Sequence, residues 1–494
     1  MLLFLLAVVL VLFLVQIELT RLNISRKYKH ISGSKEYPII GNIASVKRHQ
    51  LSDFNLIINE LCRDTVSKVT AFGQVLFVVA DPAVAQTILS SSNFHKRSYI
   101  FKFFEMESAL FTSIYETWKP IRKGVQSCFS KKSIVTMTNA FLKHSDNLCQ
   151  ELEEGFANTG APFDIYTLIA RFEINKVVET MLDCPNFNST EYLVDTLQEA
   201  SDNIGRRIFN PMIYPEIIYK FTDCRKKIRA GHDLGAVILR EICGSDFTER
   251  RQRLNEINNN EQSSKIFFDE LLKVVKHGKL LTYDEVVDNF KTIVVAGFET
   301  QSLAMGWILV MLAMHQDVQQ KVYDEICENI PDDAELDCEL LKKMEYLDMV
   351  IKETLRLFPV APVTMRDSLQ DTHVEPFGEI PKGTPVLVAI YKIHRSPEIW
   401  GPDADKFNPD NFLPSKVSER HLYSYIPYGG GGARNCIGIN YATINMRIVL
   451  IKLLKKFRFT TPLTYDSIEY KYGITLKLGG GYQVIADTRK QKTS

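Results

Sequence analysis

The 494-residue chain has no excess of either charge, since Lys+Arg and Asp+Glu each number 59. That removes the net field by which nucleic-acid-binding proteins collect phosphate, so no nucleic-acid partner is expected and any electrostatic partner must meet a local patch. The nine cysteines (62, 128, 149, 184, 224, 243, 327, 338 and 436) are scattered and include no C-x-x-C pair. That excludes a disulfide framework and a zinc site, and points to a reducing compartment for the body of the chain. No internal repeat and no low-complexity tract long enough to separate domains is found. A hydrophobic content of 45% and a charged content of 24% exclude global disorder, a collagen-like chain and a polytopic membrane protein, and allow one large core.

What the chain does have is one uncharged run at its start. Met1 to Ile17 carries a single polar side chain, Gln16, and as a helix spans about 26 Å against a hydrocarbon core of roughly 30 Å. A cleaved secretory signal is the alternative, but Glu18-Leu-Thr-Arg21 follows with no small-residue cleavage site. Arg21, Arg26, Lys27 and Lys29 lie after the run, which orients the body toward the cytosol. The expected organisation is an anchor over residues 1–20, a linker over 21–40 ending near the Pro38–Gly41 turn, and one folded body over 41–494. Periodicity favours helices from about Leu51 to Lys352, with strand-like runs at Val75–Val79 and Pro385–Ile390, so the fold class is mostly α with small sheets (α+β). The polar stretch Ser245–Lys265 reads as an exposed loop between helices.

Thr282-Tyr-Asp-Glu285 is a capping-box pattern, and apolar residues at helical spacing follow it to Met314, just before His315. Ala296-Gly-Phe-Glu-Thr300 interrupts that apolar stripe. Gly297 costs ~1 kcal/mol of helix propensity, which implies close approach to the backbone or a local bulge. Glu299 and Thr300 have the chemistry of a proton relay; a tolerated glycine beside a solvent-facing Glu is the plain alternative.

Glu353 and Arg356 stand at i, i+3, a spacing that taken alone signals surface decoration. Their place in the chain gives them weight, because Phe358-Pro-Val-Ala-Pro362, Arg366, Phe407-Asn-Pro-Asp-Asn-Phe412 and a glycine-dense loop follow in order. That loop, Pro427-Tyr-Gly-Gly-Gly-Gly-Ala-Arg-Asn-Cys-Ile-Gly438, fits neither glycine pattern of nucleotide-binding loops. It places Cys436 before a predicted helix at about Ile439–Lys455 and two residues from Arg434, conditions that lower a thiol pKa and favour a thiolate nucleophile or metal ligand.

Through these ordered motifs the chain resembles a microsomal cytochrome P450 from its anchor to roughly Gly481, and through His394-Arg-Ser-Pro-Glu-Ile-Trp-Gly-Pro402 and the long helix it is similar to the fatty-acid-hydroxylase clan, including its insect members. The resemblance carries several implications. Cys436, with Gly432, Arg434 and Gly438, matches the cysteine signature and implies the axial thiolate of haem iron. Arg434, Arg366, and Trp118 with Arg122 are implied partners of the haem propionates. Glu299 and Thr300 are the implied oxygen-activating pair, and Glu353 with Arg356 a structural pair. The implied cofactor is haem b, held non-covalently because Ala296 cannot esterify it. Implied electron donors are NADPH through NADPH-cytochrome P450 reductase, with cytochrome b5 as a second partner, and the implied location is the endoplasmic reticulum membrane. The activity expected is insertion of one atom of O2 into a lipophilic small molecule. A non-catalytic haem or lipid binder and an oxygen-independent haem-thiolate isomerase are the other readings.

Three positions depart from the family pattern: Gly429 with Tyr428 one place early where Phe is usual, Asn411 where Arg is usual, and Gln301 after Thr300. The implied pocket walls are Phe101–Leu110, Ile204–Tyr214 and Pro359–Val363. Between Thr117 and Ser145 lie Lys119, Arg122, Lys123, Lys131, Lys132 and Lys143 with no acid, either a solvated face or a surface for an acidic flavoprotein.

Overall fold

Thr282 begins the longest buried element as expected: its hydroxyl accepts from the Glu285 N–H at 3.3 Å and the Glu285 carboxylate accepts from the Thr282 N–H at 2.8 Å. In the computed structural model, which describes residues 1–43, 45, 54–95, 98–243, 247–257, 266–331, 334 and 336–490, helices dominate. Those that position the site are α1 (Leu2–Lys27), α2 (Pro82–Ser90), α3 (Tyr115–Val125), α4 (Lys131–Val135), α5 (Thr138–Gly155), α6 (Ile165–Leu182), α7 (Glu191–Phe209), α8 (Asp223–Cys243), α9 (Tyr283–Met314), α10 (Glu345–Leu357) and α11 (Ile439–Lys456). The strands used below are β1 (Val66–Ala71), β2 (Gln74–Val79), β3 (Thr364–Asp367), β4 (Pro385–Val388), β5 (Phe457–Thr460), β6 (Tyr470–Tyr472), β7 (Leu476–Leu478) and β8 (Gln483–Thr488).

Residues 298–313 of α9 are all buried except Thr300, so this half of the helix is covered on every side, as a core helix must be. Gly297 shows why. A Cβ there would stand 2.7 Å from Val177 Cγ2 on α6, so the glycine admits the neighbouring helix at close range and α9 continues without a bulge. The large core gathers α3, α5, α6, α9, α10 and α11. A second core lies on one face of a four-stranded sheet of order β1-β2-β4-β3, in which β2 and β4 run parallel with Phe77 opposite Val386 and Val79 opposite Val388.

Helix α1 is long and apolar enough to cross a membrane, and the rest of the protein leaves its most apolar stretch uncovered. The stretch assigned to the linker is held against the sheet lobe: Tyr28 meets Phe77 edge-on at 4.9 Å and donates its hydroxyl to the Glu379 carbonyl at 2.6 Å. The expectation of a loop over Ser245–Lys265 needs correction in part. Thr248–Ile257 is a helix, anchored by buried Phe247 and by Arg250, whose Nε bonds Asp269 at 2.7 Å. The remainder of that stretch, including Asn258–Asn260, lies outside the described residues.

Glu353 and Arg356 are not surface decoration; both are fully buried. Arg356 Nε and Nη2 each donate to the Glu353 carboxylate at 2.7 Å, and Nη1 and Nη2 also reach the carbonyls of His394, Ala404 and Lys406. His394 accepts the Ile426 N–H on Nε2 at 2.8 Å. Burial first and the Arg356 charge second push its pKa down from 6.5 to about 3. The unfolded chain therefore takes up this proton before the folded one does, and stability falls as pH drops from about 6.5 toward 3. The thermal midpoint should decline over that window, and His394→Gln should flatten the decline; an unchanged slope would show that other groups carry it.

Candidate functional site

Between α9, the cysteine loop and the sheet lobe lies a largely apolar cavity of about 860 Å³. All three expected wall segments contribute, through Phe104 and Leu110, Ile204 and Tyr214, and Val360 and Val363. Val294, Ala296 and Thr300 form the α9 wall, and Cys436 looks in from the opposite loop.

The cysteine loop depends on glycine at a defined point. Gly432 has φ +90°, and a Cβ on it would fall 2.3 Å from the Leu89 carbonyl oxygen at the end of α2. Gly429, which stands where Phe is usual, and Gly430 take left-handed backbone (φ +83° and +71°), and the Cys436 N–H reaches the Tyr428 carbonyl at 3.1 Å. Tyr428 is half-buried near Cys436. Its phenol is pushed up to about 12, by burial first and by Cys436 second. Cys436 is exposed, and it faces the cavity. Its thiol pKa is raised, not lowered as the loop sequence suggests, because desolvation by the surrounding protein outweighs the Gly438 N–H and the Arg122 charge. A thiolate here needs a cation at the sulfur, and an iron ion would supply it.

The cavity wall on this side is rich in positive charge. Arg122 donates to Asn435 through its carbonyl (3.2 Å) and its Oδ1 (2.9 Å). Among the described residues Arg366 bonds Thr364 Oγ1 and the Met365 carbonyl alone. Arg434 donates to the Ser113 carbonyl at 2.9 Å, while its Nε and Nη1 are buried with no partner among the described residues. Trp118 packs on the Arg434 guanidinium at 4.3 Å. Burial is the main cause that lowers Arg366 to about 10 and Arg434 to about 9, with Arg366 and Arg122 adding to the latter. Three guanidiniums without a bonded carboxylate fit a ligand bearing two carboxylates, as haem does. His95 also faces this group; its pKa is lowered by burial and then by Arg434 and Arg366. No local pattern around His95 distinguishes it in the sequence.

Thr300 opens its hydroxyl to the cavity and donates to the Ala296 carbonyl at 2.7 Å. Glu299 is buried, against the solvent-facing alternative. One carboxylate oxygen accepts from Ser201 (3.0 Å), the other from Thr475 (3.3 Å) and from Lys477 Nζ (3.0 Å). Lys477 reaches Asp202 at 2.8 Å, and Asp202 reaches the exposed Lys471 at 2.8 Å. Ser201, Asp202, Thr475 and Lys477 carry no motif, and only the fold brings them to Glu299.

Asn411 keeps its place in the buried network by donating to Glu353 at 3.1 Å. The charge that an arginine would bring there comes from elsewhere. Arg420 donates to the Asn411 carbonyl and lies 4.1 Å over Trp400, whose ring also takes Arg356 at 4.8 Å. On the outer face, Lys119, Lys123, Lys131 and Lys132 are exposed, Arg122 turns inward, and Lys143 pairs with Glu179 at 3.0 Å.

The sequence model of the family described as Cytochrome P450 matches residues 31–478. Among curated proteins the chain is 28% identical to the "Probable cytochrome P450 313a4" of Drosophila melanogaster over 91% of both chains. It is 27% identical to "Cytochrome P450 4c21" of Blattella germanica over 90% of this chain and 91% of that one. Similarity extends to "Cytochrome P450 3A9" of Rattus norvegicus, at 26% over 87% and 85%.

Proposed function

Because the chain belongs to the cytochrome P450 family and is thus a haem-thiolate monooxygenase, we propose that it oxygenates a lipophilic small molecule in the cavity between Thr300 and Cys436. The observation that carries this reading is the cluster of half-buried Arg122 with buried Arg366 and Arg434 beside the cysteine loop, none of which bonds a carboxylate among the described residues. In it Cys436 would ligate the iron of haem b, and Arg434, Arg366, Arg122 and Trp118 would hold its propionates. Bound haem supplies O2 binding and activation, for which a thiolate ligand favours O–O cleavage. The chain's own residues handle protons. Thr300, with its hydroxyl hydrogen on the Ala296 carbonyl, offers lone pairs to a water in the cavity, and the Glu299 carboxylate relays to that water a proton taken from Lys477, its proton-bearing partner at 3.0 Å. Apolar walls select apolar substrates and exclude bulk water.

The test is the ferrous carbonyl spectrum of the full chain in detergent, loaded with haem. A Soret band at the long wavelength of thiolate ligation, lost in Cys436→Ala, is expected; a wild-type band at the neutral-ligand position would overturn the reading. Arg434→Ala should keep that band and weaken haem binding by about 10–100-fold, the loss of charged hydrogen bonds, measured by haem transfer to apomyoglobin.

Electrons reach family members from a reductase. For this chain we assign docking of the acidic NADPH-cytochrome P450 reductase to Lys119, Lys123, Lys131 and Lys132, on the α3–α4 face that precedes the cysteine loop in the fold. Lys131→Glu with Lys132→Glu should slow reductase-supported turnover and reduce its dependence on ionic strength, with substrate binding unchanged. Equal salt dependence in both proteins would remove this face from consideration. Residues 1–20 act as the membrane anchor in this reading, residues 21–40 connect them to the body, and residues 41–494 form the haem domain facing the cytosol from the endoplasmic reticulum.

A further inference from the structure

Gln301, the residue that departs from the family pattern directly after Thr300, ends a chain of buried hydrogen bonds with no part in the reading above. Lys176 on α6 is fully enclosed and donates to Glu173 at 2.6 Å and to Asn445 Oδ1 at 2.7 Å. Asn445 on α11 donates through Nδ2 to Glu173 at 2.9 Å and to Gln301 Oε1 at 2.7 Å. Gln301 then donates through Nε2 to the Gly297 carbonyl at 2.9 Å.

The direction of every bond is fixed. An ammonium only donates and a carboxylate only accepts, so Lys176 and Glu173 leave Asn445 one orientation, and Asn445 leaves Gln301 one. Turned the other way, Gln301 would press its oxygen against a carbonyl oxygen. A buried ion pair is weak evidence for stability, and fixing the orientation of neighbouring groups is a use for it that these contacts display.

The carbonyl at the end of the chain matters to Thr300. A threonine in a helix divides between two χ1 rotamers, because its hydroxyl can bond the carbonyl three or four residues back. For Thr300 these are Gly297 and Ala296. The Gly297 carbonyl already receives the main-chain N–H of residue 301 within α9, and the Gln301 side chain fills its second lone pair. Thr300 is left with Ala296, the bond observed. We propose that Gln301, oriented by Asn445 and the Lys176–Glu173 pair, is a positioning residue that holds Thr300 in one rotamer and so limits loss of activated oxygen as peroxide. This rests on the proton role assigned to Thr300.

The experiment compares wild type with Gln301→Leu and with Gln301→Glu, which nearly preserves side-chain volume but, when ionised, cannot donate to a carbonyl. Each is prepared as haem-loaded full chain. High-resolution structures should show Thr300 in one rotamer in wild type and in two in the variants. Peroxide formed per NADPH, by two-electron reduction of O2 with two protons from water, should rise at least twofold while the ferrous carbonyl spectrum stays the same. A single Thr300 rotamer with unchanged peroxide yield in either folded variant would overturn the inference. The rotamer readout needs no turnover, so it separates this failure from a failure of the functional reading, which the wild-type carbonyl spectrum reports.

Discussion

Replacing Glu353 with alanine should destabilise the protein by ~3–5 kcal/mol, because it strands the Arg356 charge in a site from which water is excluded. Arg356 makes two of its hydrogen bonds to that carboxylate and the others to three main-chain carbonyls, which do not neutralise it. Asn408 and Asn411 also lose their acceptor, at 2.8 and 3.1 Å. The double variant Glu353→Leu, Arg356→Leu should cost less than Glu353→Ala alone, since it removes both charges together. Urea unfolding of wild type, Glu353→Leu, Arg356→Leu and the double variant measures the coupling. Additive losses would show that the pair acts as two separate residues.

Lys477→Met should bring the second large loss, again ~3–5 kcal/mol, and here the stranded charge is an acid. Glu299 would keep only the Ser201 and Thr475 hydroxyls as partners. Burial works against the Lys477 charge, but Glu299 and Asp202 outweigh it and the pKa is raised. A raised lysine pKa gives stability that is complete below its unfolded value of about 10.5 and lost as pH rises through the folded value. Asp202 is shifted the other way: burial alone would raise it, Lys477 and Lys471 lower it. Its share of stability is present above pH ~4 and lost on acidification. Wild type should thus gain from this cluster across the range between, and Lys477→Met should lose that gain. Pairing Lys477→Met with Glu299→Gln should recover part of the loss in the same unfolding assay. Glu299→Gln alone should lower product formation by ~10²-fold, the usual worth of a positioned proton donor, with haem ligation intact.

Features written in consecutive residues were legible before any coordinates. The capping box at Thr282 and the length of α9 are local events, as is the glycine-dense loop before Cys436, and the strands β2 and β4 lie where short β-branched runs placed them. What the sequence concealed is set by distance along the chain. Glu299 meets residues 98, 176 and 178 positions away, and Arg420 takes up the charge missing at Asn411 because Trp400 lies between it and Arg356. The Cys436 thiol was misjudged for a related reason. Nearby amides and arginines can be read from the sequence, whereas the desolvation that overrides them depends on the whole fold. The polar composition of Ser245–Lys265 likewise hid a helix, since a charged helical face and a loop share the same residue types.

The parallel pairing of β2 with β4 also sets a schedule for synthesis. The β1–β2 hairpin leaves the ribosome with the first 79 residues, but its parallel neighbour begins at Pro385. At ~5–20 residues per second the roughly 300 residues between them take on the order of 15–60 s. For that interval Phe77 and Val79, fully buried in the finished protein, are paired with β1 on one side and have no β4 strand on the other, so the hairpin presents one unpaired apolar edge. Nascent chains of this protein should therefore depend on a chaperone that covers a strand edge until residue 388 emerges.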